Sequence, residues 1–156
     1  MPRNMLVRQV MTTDVLTFRP EDRIQAAAQA MASRSIGGAP VVDGDGRVVG
    51  LLSDDDLIVQ DVRLHMPTVI SVLGAYLELP SSVDRFDKEV RKVVGATVAD
   101  VMTSNTPTCS EDDTVEQVAT VLHDKHLSRL PVVRDGKLVG IVSRGDILRS
   151  IVESGA

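Results

Sequence analysis

The chain of 156 residues contains the same ordered set of motifs twice. Each copy opens with Val-Met-Thr, continues to a hydrophobic-Pro-Val-Val run, and ends in a Gly-x-x-Ser-x-x-Asp segment. The motifs lie at 10–12, 39–42 and 50–56 in the first copy and at 101–103, 130–133 and 140–146 in the second. The offset between copies is 91 residues for the first two motifs and 90 for the third. Two copies without a third favour a closed pair over a solenoid, which needs a longer run of repeats.

The residue that the second copy lacks falls in a turn. Residues 43–47 read Asp-Gly-Asp-Gly-Arg, whereas residues 134–137 read Arg-Asp-Gly-Lys. Turns tolerate changes of length and strands do not, so this difference indicates two copies of one β-hairpin.

Composition limits the class of protein. The chain is 43% hydrophobic with a formal net charge of -5, which opposes a broad contact with nucleic acid phosphates. Cys109 is the one cysteine, so no internal disulfide is expected. The N-terminus lacks an apolar core of signal-peptide type, and the longest apolar stretch, around 69–77, is too short to span a bilayer. We expect a cytoplasmic protein with no membrane span.

Hydrophobic periodicity predicts strand, helix, strand, strand, helix in each copy. Residues 15–18 predict a short first strand, and Pro20, followed by two acidic residues, predicts the first turn of a helix. Ser110 is the predicted N-cap of the matching helix in the second copy. The apolar stripe of this helix is duplicated residue for residue: Ile24, Ala27, Ala28 and Met31 match Val115, Val118, Ala119 and Leu122.

Apolar runs on both sides of a Gly-rich turn predict a hairpin in each copy, at 39–42 and 48–52 and at 131–133 and 138–142. A second helix is predicted to begin at Ser53 and at Ser143. The expected fold class is therefore α/β, in the α+β sense, with two β-α-β-β-α repeats packed with pseudo-twofold symmetry.

The duplicated hydrophobic-Pro-Val-Val strand and Gly-x-x-Ser-x-x-Asp segment resemble the cystathionine β-synthase (CBS) domain, which occurs in tandem pairs called Bateman modules. Either motif alone is weak, whereas both motifs, twice and in register, are specific. The resemblance implies an adenosine-containing ligand, such as AMP, ADP, ATP or S-adenosylmethionine, bound in clefts between the two halves. It also implies a regulatory role.

The resemblance further implies two crossed sites, because in that family the aspartate of one half is paired with the first strand and the Pro-strand of the other half. One site would hold Ser53, Asp56, Thr103, Thr108, Arg129 and Leu130. The other would hold Ser143, Asp146, Thr12, Thr17, Gly38 and Ala39, with Arg144 beside its serine.

Each Ser-x-x-Asp segment has two compatible interpretations. A serine followed three residues later by a carboxylate at a helix start is close to a capping box, which stabilises the helix end without a ligand. In the functional interpretation, the N–H groups and positive dipole end of the helix bind phosphate oxygens, and the aspartate accepts hydrogen bonds from both ribose hydroxyls. A serine can cap an empty helix and turn toward a ligand later, so both interpretations stay open.

The two predicted sites differ in charge. Arg129 stands where the first copy has Gly38, and a guanidinium group suits a phosphate. Asp54 and Asp55 place negative charge beside Asp56, which favours either a need for Mg²⁺ or discrimination against ATP at that site.

The second site has Arg144 next to its serine and Gly145 where the backbone needs room. For Arg129 and Arg144 the alternative is an exposed surface arginine. The chain has two phenylalanines and one tyrosine, so adenine is expected between aliphatic walls, where backbone groups recognise it.

Residues 61–95 match neither copy and predict a helical hairpin insert. Pro67 can open a short helix that runs to Leu79, and an amphipathic helix capped near Ser81 or Ser82 ends at Gly95. The insert either covers the core of the module or meets a second subunit. The predicted divisions are CBS domain 1 at 1–60, the insert at 61–95 and CBS domain 2 at 96–156.

Catalytic constellations are poor. His123 and His126 lack a third ligand, so surface histidines are favoured over a metal site. Cys109 lies at the end of a predicted strand, at the position of Phe18 in the first copy, which favours a buried small hydrophobe over a nucleophile. We predict no catalytic residue and no metal-ligating residue.

The sequence therefore predicts a stand-alone CBS-pair regulatory module, not an enzyme. It would bind AMP, ADP or ATP, with or without Mg²⁺, form a homodimer, and signal occupancy to a protein that the sequence does not identify. The alternatives are a ligand-free dimerisation or scaffold module and an S-adenosylmethionine sensor.

Overall fold

A computed structural model of the chain describes residues 4–58 and 96–153. In residues 4–58 the elements are a 3-10 turn at Val7–Gln9, helix α1 at Ile24–Ser33, strands β1 at Gly38–Val42 and β2 at Val48–Ser53, and helix α2 over residues 54–58. In residues 96–153 they are helix α3 at Val98–Val101, strands β3 at Thr103–Ser104 and β4 at Cys109–Ser110, helix α4 at Val115–Asp124, strands β5 at Arg129–Arg134 and β6 at Lys137–Ser143, and helix α5 at Arg144–Glu153. The helical hairpin predicted at 61–95 lies outside the described residues, as do the predicted domain boundaries on either side of it.

The strands form two three-stranded sheets, one in the order β1-β2-β3 and the other in the order β4-β5-β6. In the second sheet β4 runs parallel to β5, and β5 runs antiparallel to β6. The predicted mixed α/β fold with two repeats, each containing a small sheet and helices, is confirmed.

The two hairpin turns differ as their sequences predict. In the second copy Arg134 pairs directly with Lys137, and the two residues between them, Asp135 and Gly136, both have positive φ angles, of 54° and 80°. An Asp-Gly pair with two positive φ angles is the type I′ turn that suits a two-residue hairpin. The first copy uses a longer turn over residues 43–47, so the difference in length is confined to the turn.

The predicted opening of the first copy is wrong in two respects. Residues 15–18 form no regular strand, and helix α1 begins at Ile24 rather than at Pro20. A tight turn takes the place of the predicted first helical turn, since the N–H of Arg19 donates to Oδ2 of Asp22 at 2.8 Å and the N–H of Asp22 donates to the carbonyl of Arg19 at 3.1 Å.

Ser110 is not the N-cap of the matching helix in the second copy. Helix α4 is capped by Thr114, whose Oγ1 accepts from the N–H of Gln117 at 3.1 Å while Oε1 of Gln117 accepts from the N–H of Thr114 at 2.9 Å. Ser110 instead closes the preceding turn, in which its own N–H donates to Asp113. The Thr-x-x-Gln pattern was the better sequence signal for the start of this helix.

Helices α1 and α4 end in the same way. Ser35 and His126, 91 residues apart, follow the two helix ends and both have a φ angle of 54°. The next residue in each copy returns its N–H to the last helical turn, from Ile36 to Met31 and from Leu127 to Leu122. This is a Schellman motif with a side chain in the left-handed position that glycine usually occupies.

The chain divides into two compact units that do not follow the order of the copies. Among the described residues, the first unit contains 4–17, 40–51 and 104–153, and the second contains 18–39, 52–58 and 96–103. The leading segment of the first copy, residues 4–17, therefore belongs to one unit with α4 of the second copy. The leading segment of the second copy, residues 96–103, belongs to one unit with α1 of the first copy.

Backbone hydrogen bonds fix these leading segments. In the first unit Val7 is fully buried, and the first N–H of α4, from Val115, donates to the carbonyl of Met5 at 2.8 Å. In the second unit Val98 is fully buried, and the first N–H of α1, from Ile24, donates to the carbonyl of Ala96 at 3.1 Å. Each leading segment thus satisfies a helix N–H that has no partner within its own helix.

The predicted apolar stripes face the cores. In α1 the buried residues are Ala27 and Met31, and in α4 they are Val115, Val118 and Leu122. In the first unit, Val7, Cys109 and residues of β5, β6 and α5 complete one apolar cluster with the stripe of α4. Within the described residues, no helix has the length and hydrophobicity needed to cross a membrane.

Candidate functional site

Both Ser-x-x-Asp segments form a reciprocal cap at a helix start. In the first copy, Oδ2 of Asp56 accepts from the N–H of Ser53 at 3.0 Å, and Oγ of Ser53 accepts from the N–H of Asp56 at 3.3 Å. In the second copy the corresponding distances between Ser143 and Asp146 are 2.9 Å and 3.2 Å. The capping interpretation is confirmed in both copies.

The caps leave most of each carboxylate available. An ionised carboxylate has about four acceptor positions, and the cap uses one of them, on Oδ2. The oxygen Oδ1 of each aspartate is therefore the atom on which the two copies can differ.

In the first copy, Oδ1 of Asp56 accepts from Oγ1 of Thr103 at 3.3 Å. Thr103 lies in β3, which is next to β2 in the sheet, and α2 follows β2 directly. The sheet therefore places the hydroxyl of Thr103 beside the start of α2. The structure thus brings together three of the residues predicted for one site, Ser53, Asp56 and Thr103, within the second unit.

The other residues predicted for that site, Thr108, Arg129 and Leu130, belong to the first unit, and their grouping with Asp56 stays a prediction. Leu130 is buried and Arg129 is half-buried. Asp54 and Asp55 are exposed beside Asp56, as their sequence positions suggest.

In the second copy, Thr12 and Thr17 lie in the same unit as Ser143 and Asp146. Thr12 exchanges two backbone hydrogen bonds of 2.9 Å with Ile141 of β6, two residues before the serine. Thr12 thus pairs with β6, while Thr103 lies in β3, which is hydrogen-bonded to β2. Gly38 and the buried Ala39, both in β1, belong to the second unit, so their grouping with Asp146 also stays a prediction.

Glycine at position 140 permits this approach of Thr12. A Cβ atom on Gly140 would lie 2.9 Å from the carbonyl oxygen of Thr12 and 2.9 Å from Sδ of Met11. The backbone oxygen cannot move away cheaply, so a side chain here would push apart the strand and the segment that carries Thr12.

Arg144 is bonded to the end of a neighbouring helix. Its Nε donates to the carbonyl of Leu127 at 2.8 Å and its Nη2 to the carbonyl of Leu122 at 3.4 Å, at the C-terminal end of α4. A cation there is favoured by the helix dipole. A role of Arg144 in ligand binding stays a prediction.

Arg149 is the residue near this site that the sequence analysis missed. Its Nη2 forms an ion pair with Oδ1 of Asp146, one turn earlier on α5. The available signal was a cation three residues after the aspartate of the Ser-x-x-Asp segment, at helical spacing. The first copy has Val59 at the equivalent position.

The cysteine and the two histidines have the burial that the sequence predicts. Cys109 is buried, and burial, followed by the nearby charge of Asp113, raises the pKa of its thiol to about 12. His123 and His126 are exposed on and just after α4. In the ranges 4–58 and 96–153, no three His, Cys, Asp or Glu side chains are grouped so that they could hold a metal ion.

Comparison with known proteins places these features in context. The protein-family model described as CBS domain matches the chain twice, at residues 7–62 and 98–153. The chain is similar to the uncharacterized protein MJ1426 of Methanocaldococcus jannaschii, with 28% identity over 155 residues that cover 95% of this chain and 92% of that protein.

Two solved structures are also similar. One is CBSX2 of Arabidopsis thaliana in complex with AMP, with a TM-score of 0.75 and 26% identity, covering 97% of this chain and 99% of that one. The other is the CBS domain pair of protein MJ0100 in complex with 5′-methylthioadenosine and S-adenosyl-L-methionine, with a TM-score of 0.69 and 25% identity, covering 98% and 99%.

Proposed function

Because this chain belongs to the CBS domain family and carries two copies of that domain, we propose that it is a regulatory module that binds an adenine nucleotide and signals occupancy to a partner protein. The observation that carries the proposal is the duplicated Ser-x-x-Asp cap, which presents a carboxylate oxygen beside a threonine hydroxyl in the first copy. Neither nucleotide binding nor signalling to a partner requires a catalytic group.

The aspartates are proposed to bind ribose. Two adjacent hydroxyls can donate to one carboxylate, and hydrogen bonds to an ionised acceptor are about twice as strong as neutral ones. Asp56 and Asp146 each retain acceptor positions after capping, and their replacement by any neutral side chain would remove the charge. The serines and helix N-termini beside them suit the phosphate.

The ligand class is proposed from both the residues and the relatives. CBSX2 binds AMP, and the CBS domain pair of MJ0100 binds 5′-methylthioadenosine and S-adenosyl-L-methionine, so an adenosine moiety is common to these ligands. AMP, ADP or ATP is our first proposal for this chain, with Mg²⁺ as a counterion where Asp54 and Asp55 repel the phosphates. An S-adenosylmethionine sensor is the alternative.

Ligand-dependent melting tests the function. A ligand that binds only the folded chain stabilises it by about 2.7 kcal/mol at a hundredfold excess over Kd. For a chain of this size the melting temperature should rise by about 5–10 °C. We expect AMP, ADP or ATP to produce this rise and GMP, GDP and GTP, the matched controls, to leave the temperature unchanged.

If adenine nucleotides and S-adenosylmethionine at millimolar concentration all leave the melting temperature of ligand-stripped protein unmoved, with and without Mg²⁺, the sensor function is wrong. A ligand-free scaffold would then be the better description.

We also propose that the chain forms a homodimer. Leu148 and Val152, four residues apart on α5, are both largely exposed. Ile58, at the position of Leu148 in the first copy, is exposed as well. Large apolar side chains exposed in a row at helical spacing favour burial against another protein surface, and a second copy of the chain is the simplest such surface.

A further inference from the structure

The two proposed ribose-binding carboxylates differ in the partner of Oδ1. In the first copy this oxygen of Asp56 accepts from the hydroxyl of Thr103, and in the second copy Oδ1 of Asp146 is ion-paired with Arg149. A hydroxyl can exchange for a ribose hydroxyl with little electrostatic cost. A guanidinium cannot, because a neutral ribose does not replace the positive charge.

The ion pair also affects access to Asp146. The side chain of Asp146 is 4% exposed, whereas that of Arg149 is 66% exposed. Asp56, without an arginine one turn along, is only half-buried. A ribose that binds Oδ1 of Asp146 therefore has to compete with the guanidinium for this nearly buried oxygen, and the exposed arginine has room in solvent to move aside.

The guanidinium of Arg149 lies close to Ser143, which is proposed to bind the phosphate. Nη1 of Arg149 and Oγ of Ser143 lie 3.9 Å and 3.6 Å from the point where a Cβ atom on Gly145 would sit. The two side-chain atoms are therefore at most 7.5 Å apart. A phosphate held by Ser143, as proposed above, would thus lie within a short swing of the arginine.

We infer that Arg149 makes the Asp146 site selective for 5′-phosphorylated ligands over unphosphorylated nucleosides. When a nucleotide binds, its ribose displaces Arg149 from Asp146, and its phosphate forms a new ion pair with the guanidinium of Arg149. A nucleoside breaks the ion pair and returns nothing to the arginine. This inference rests on the proposed function, because it assumes that Asp146 binds ribose.

Calorimetry on protein with only the Asp146 site intact tests the inference. The variant Asp56→Ala removes the first ribose carboxylate, and Kd is then measured for AMP and for adenosine with Arg149 present and with Arg149→Val, which introduces the residue of the first copy. Exposed ion pairs are screened by water, so the expected effect is moderate: the preference for AMP over adenosine should fall about two- to fivefold in Asp56→Ala/Arg149→Val. Added salt should reduce the preference only when Arg149 is present.

Arg134→Val in the Asp56→Ala protein is the matched control. Arg134 is 63% exposed and ion-paired with Glu111, so its loss removes the same charge and a similar ion pair away from the caps. The AMP preference should not change in this control. A merely structural Arg149 would lower the melting temperature and leave the preference unchanged.

The outcomes separate the two proposals. If the native protein binds AMP but Arg149→Val leaves the AMP preference of Asp56→Ala protein unchanged, the role of Arg149 is wrong and the proposed function stands. The role is also wrong if Asp56→Ala protein binds neither ligand while the native protein binds AMP. If the native protein binds no adenosine compound, the function is wrong and the role of Arg149 falls with it.

Discussion

In each cap, one carboxylate oxygen of the aspartate stabilises the helix start, and in our proposal the other oxygen binds the ligand. Oδ2 of Asp56 closes the helix start, and Oδ1 faces Thr103. The same division recurs at Asp146, with Arg149 on Oδ1. A substitution at either aspartate therefore has a structural effect and a separate effect on binding, and an experiment has to distinguish them.

Asp56→Ala should weaken nucleotide binding at the first site. Hydrogen bonds to a charged group are worth about 1.5–3 kcal/mol, so Kd should rise at least about tenfold. Isothermal titration calorimetry measures the change, and Asp45→Ala is the control because it removes an exposed carboxylate in the turn at 43–47, at the opposite end of β2 from the cap. We expect Asp146→Ala to weaken the second site in the same way.

The protein should remain folded in these variants, as circular dichroism can verify. If a folded Asp56→Ala/Asp146→Ala protein binds adenine nucleotides as tightly as the native protein, the aspartates have only a capping role.

Cys109 makes stability fall at alkaline pH. Burial raises the pKa of its thiol to about 12, whereas an exposed thiol in the unfolded chain has a pKa of about 8.5. Above pH 8.5 the unfolded chain loses a proton that the folded chain keeps, so the stabilisation is complete below that pH and is lost as the pH rises toward 12.

Urea unfolding at pH 7.5 and pH 10.5 checks this effect. The native protein should lose about 2–3 kcal/mol more stability over this interval than Cys109→Ala, which has no thiol to titrate. Equal losses in the two proteins would contradict the assigned cause.

At the scale of elements, the leading segments decide how the copies are built. Residues before the first copy close the start of α4, and residues before the second copy close the start of α1. This arrangement explains why the helix does not begin at Pro20: the carbonyls of Pro20 and Asp22 accept from Ala99 and Val98 of the arriving segment. The residues that resemble a first helical turn are used as a docking surface.

Gly140→Ala tests the contact between the first leading segment and β6. The new methyl group would meet the carbonyl of Thr12 at 2.9 Å, and overpacking of this kind costs about 1–3 kcal/mol. We expect a lower melting temperature and weaker protection of the Ile141 amide from hydrogen exchange.

Gly145→Ala is the matched control, because its nearest neighbours would lie at 3.6 Å and 3.9 Å, which is ordinary contact. In the first turn of α5, alanine should be neutral or slightly stabilising. Destabilisation of both variants by the same amount would argue against a specific close approach at Gly140.

At the scale of the whole molecule, the exposed apolar side chains predict assembly. The native protein should sediment at micromolar concentration with about twice the mass of the 16.8 kDa chain. Leu148→Glu places a charge in the apolar row on α5 and should shift the protein toward the monomer, since burial of an unpaired charge is costly. Leu148→Met, which keeps the surface apolar, should remain dimeric.

A native mass of 16.8 kDa under these conditions would contradict the dimer. If the native protein is dimeric and Leu148→Glu has no effect, the interface lies elsewhere on the chain.

Residue spacing alone predicts the two copies, their hairpins, the buried stripes of α1 and α4, and both Ser-x-x-Asp caps. These features depend on local spacing: a period of two or of 3.6 residues, a turn residue with positive φ, or a cap across three residues. The predicted buried character of Cys109 follows from the same kind of pattern.

Packing of the elements in three dimensions sets which segment satisfies each helix start and which group faces each carboxylate. The turn at 19–22 replaces a helical turn because a segment more than 70 residues later in the chain bonds to it. The first N–H of α4, from Val115, is bonded to Met5, 110 residues earlier in the chain. Thr103 on Asp56 is likewise a contact across 47 residues. Contacts between residues so far apart in sequence leave no periodic signal, because their partners are set by how the elements pack.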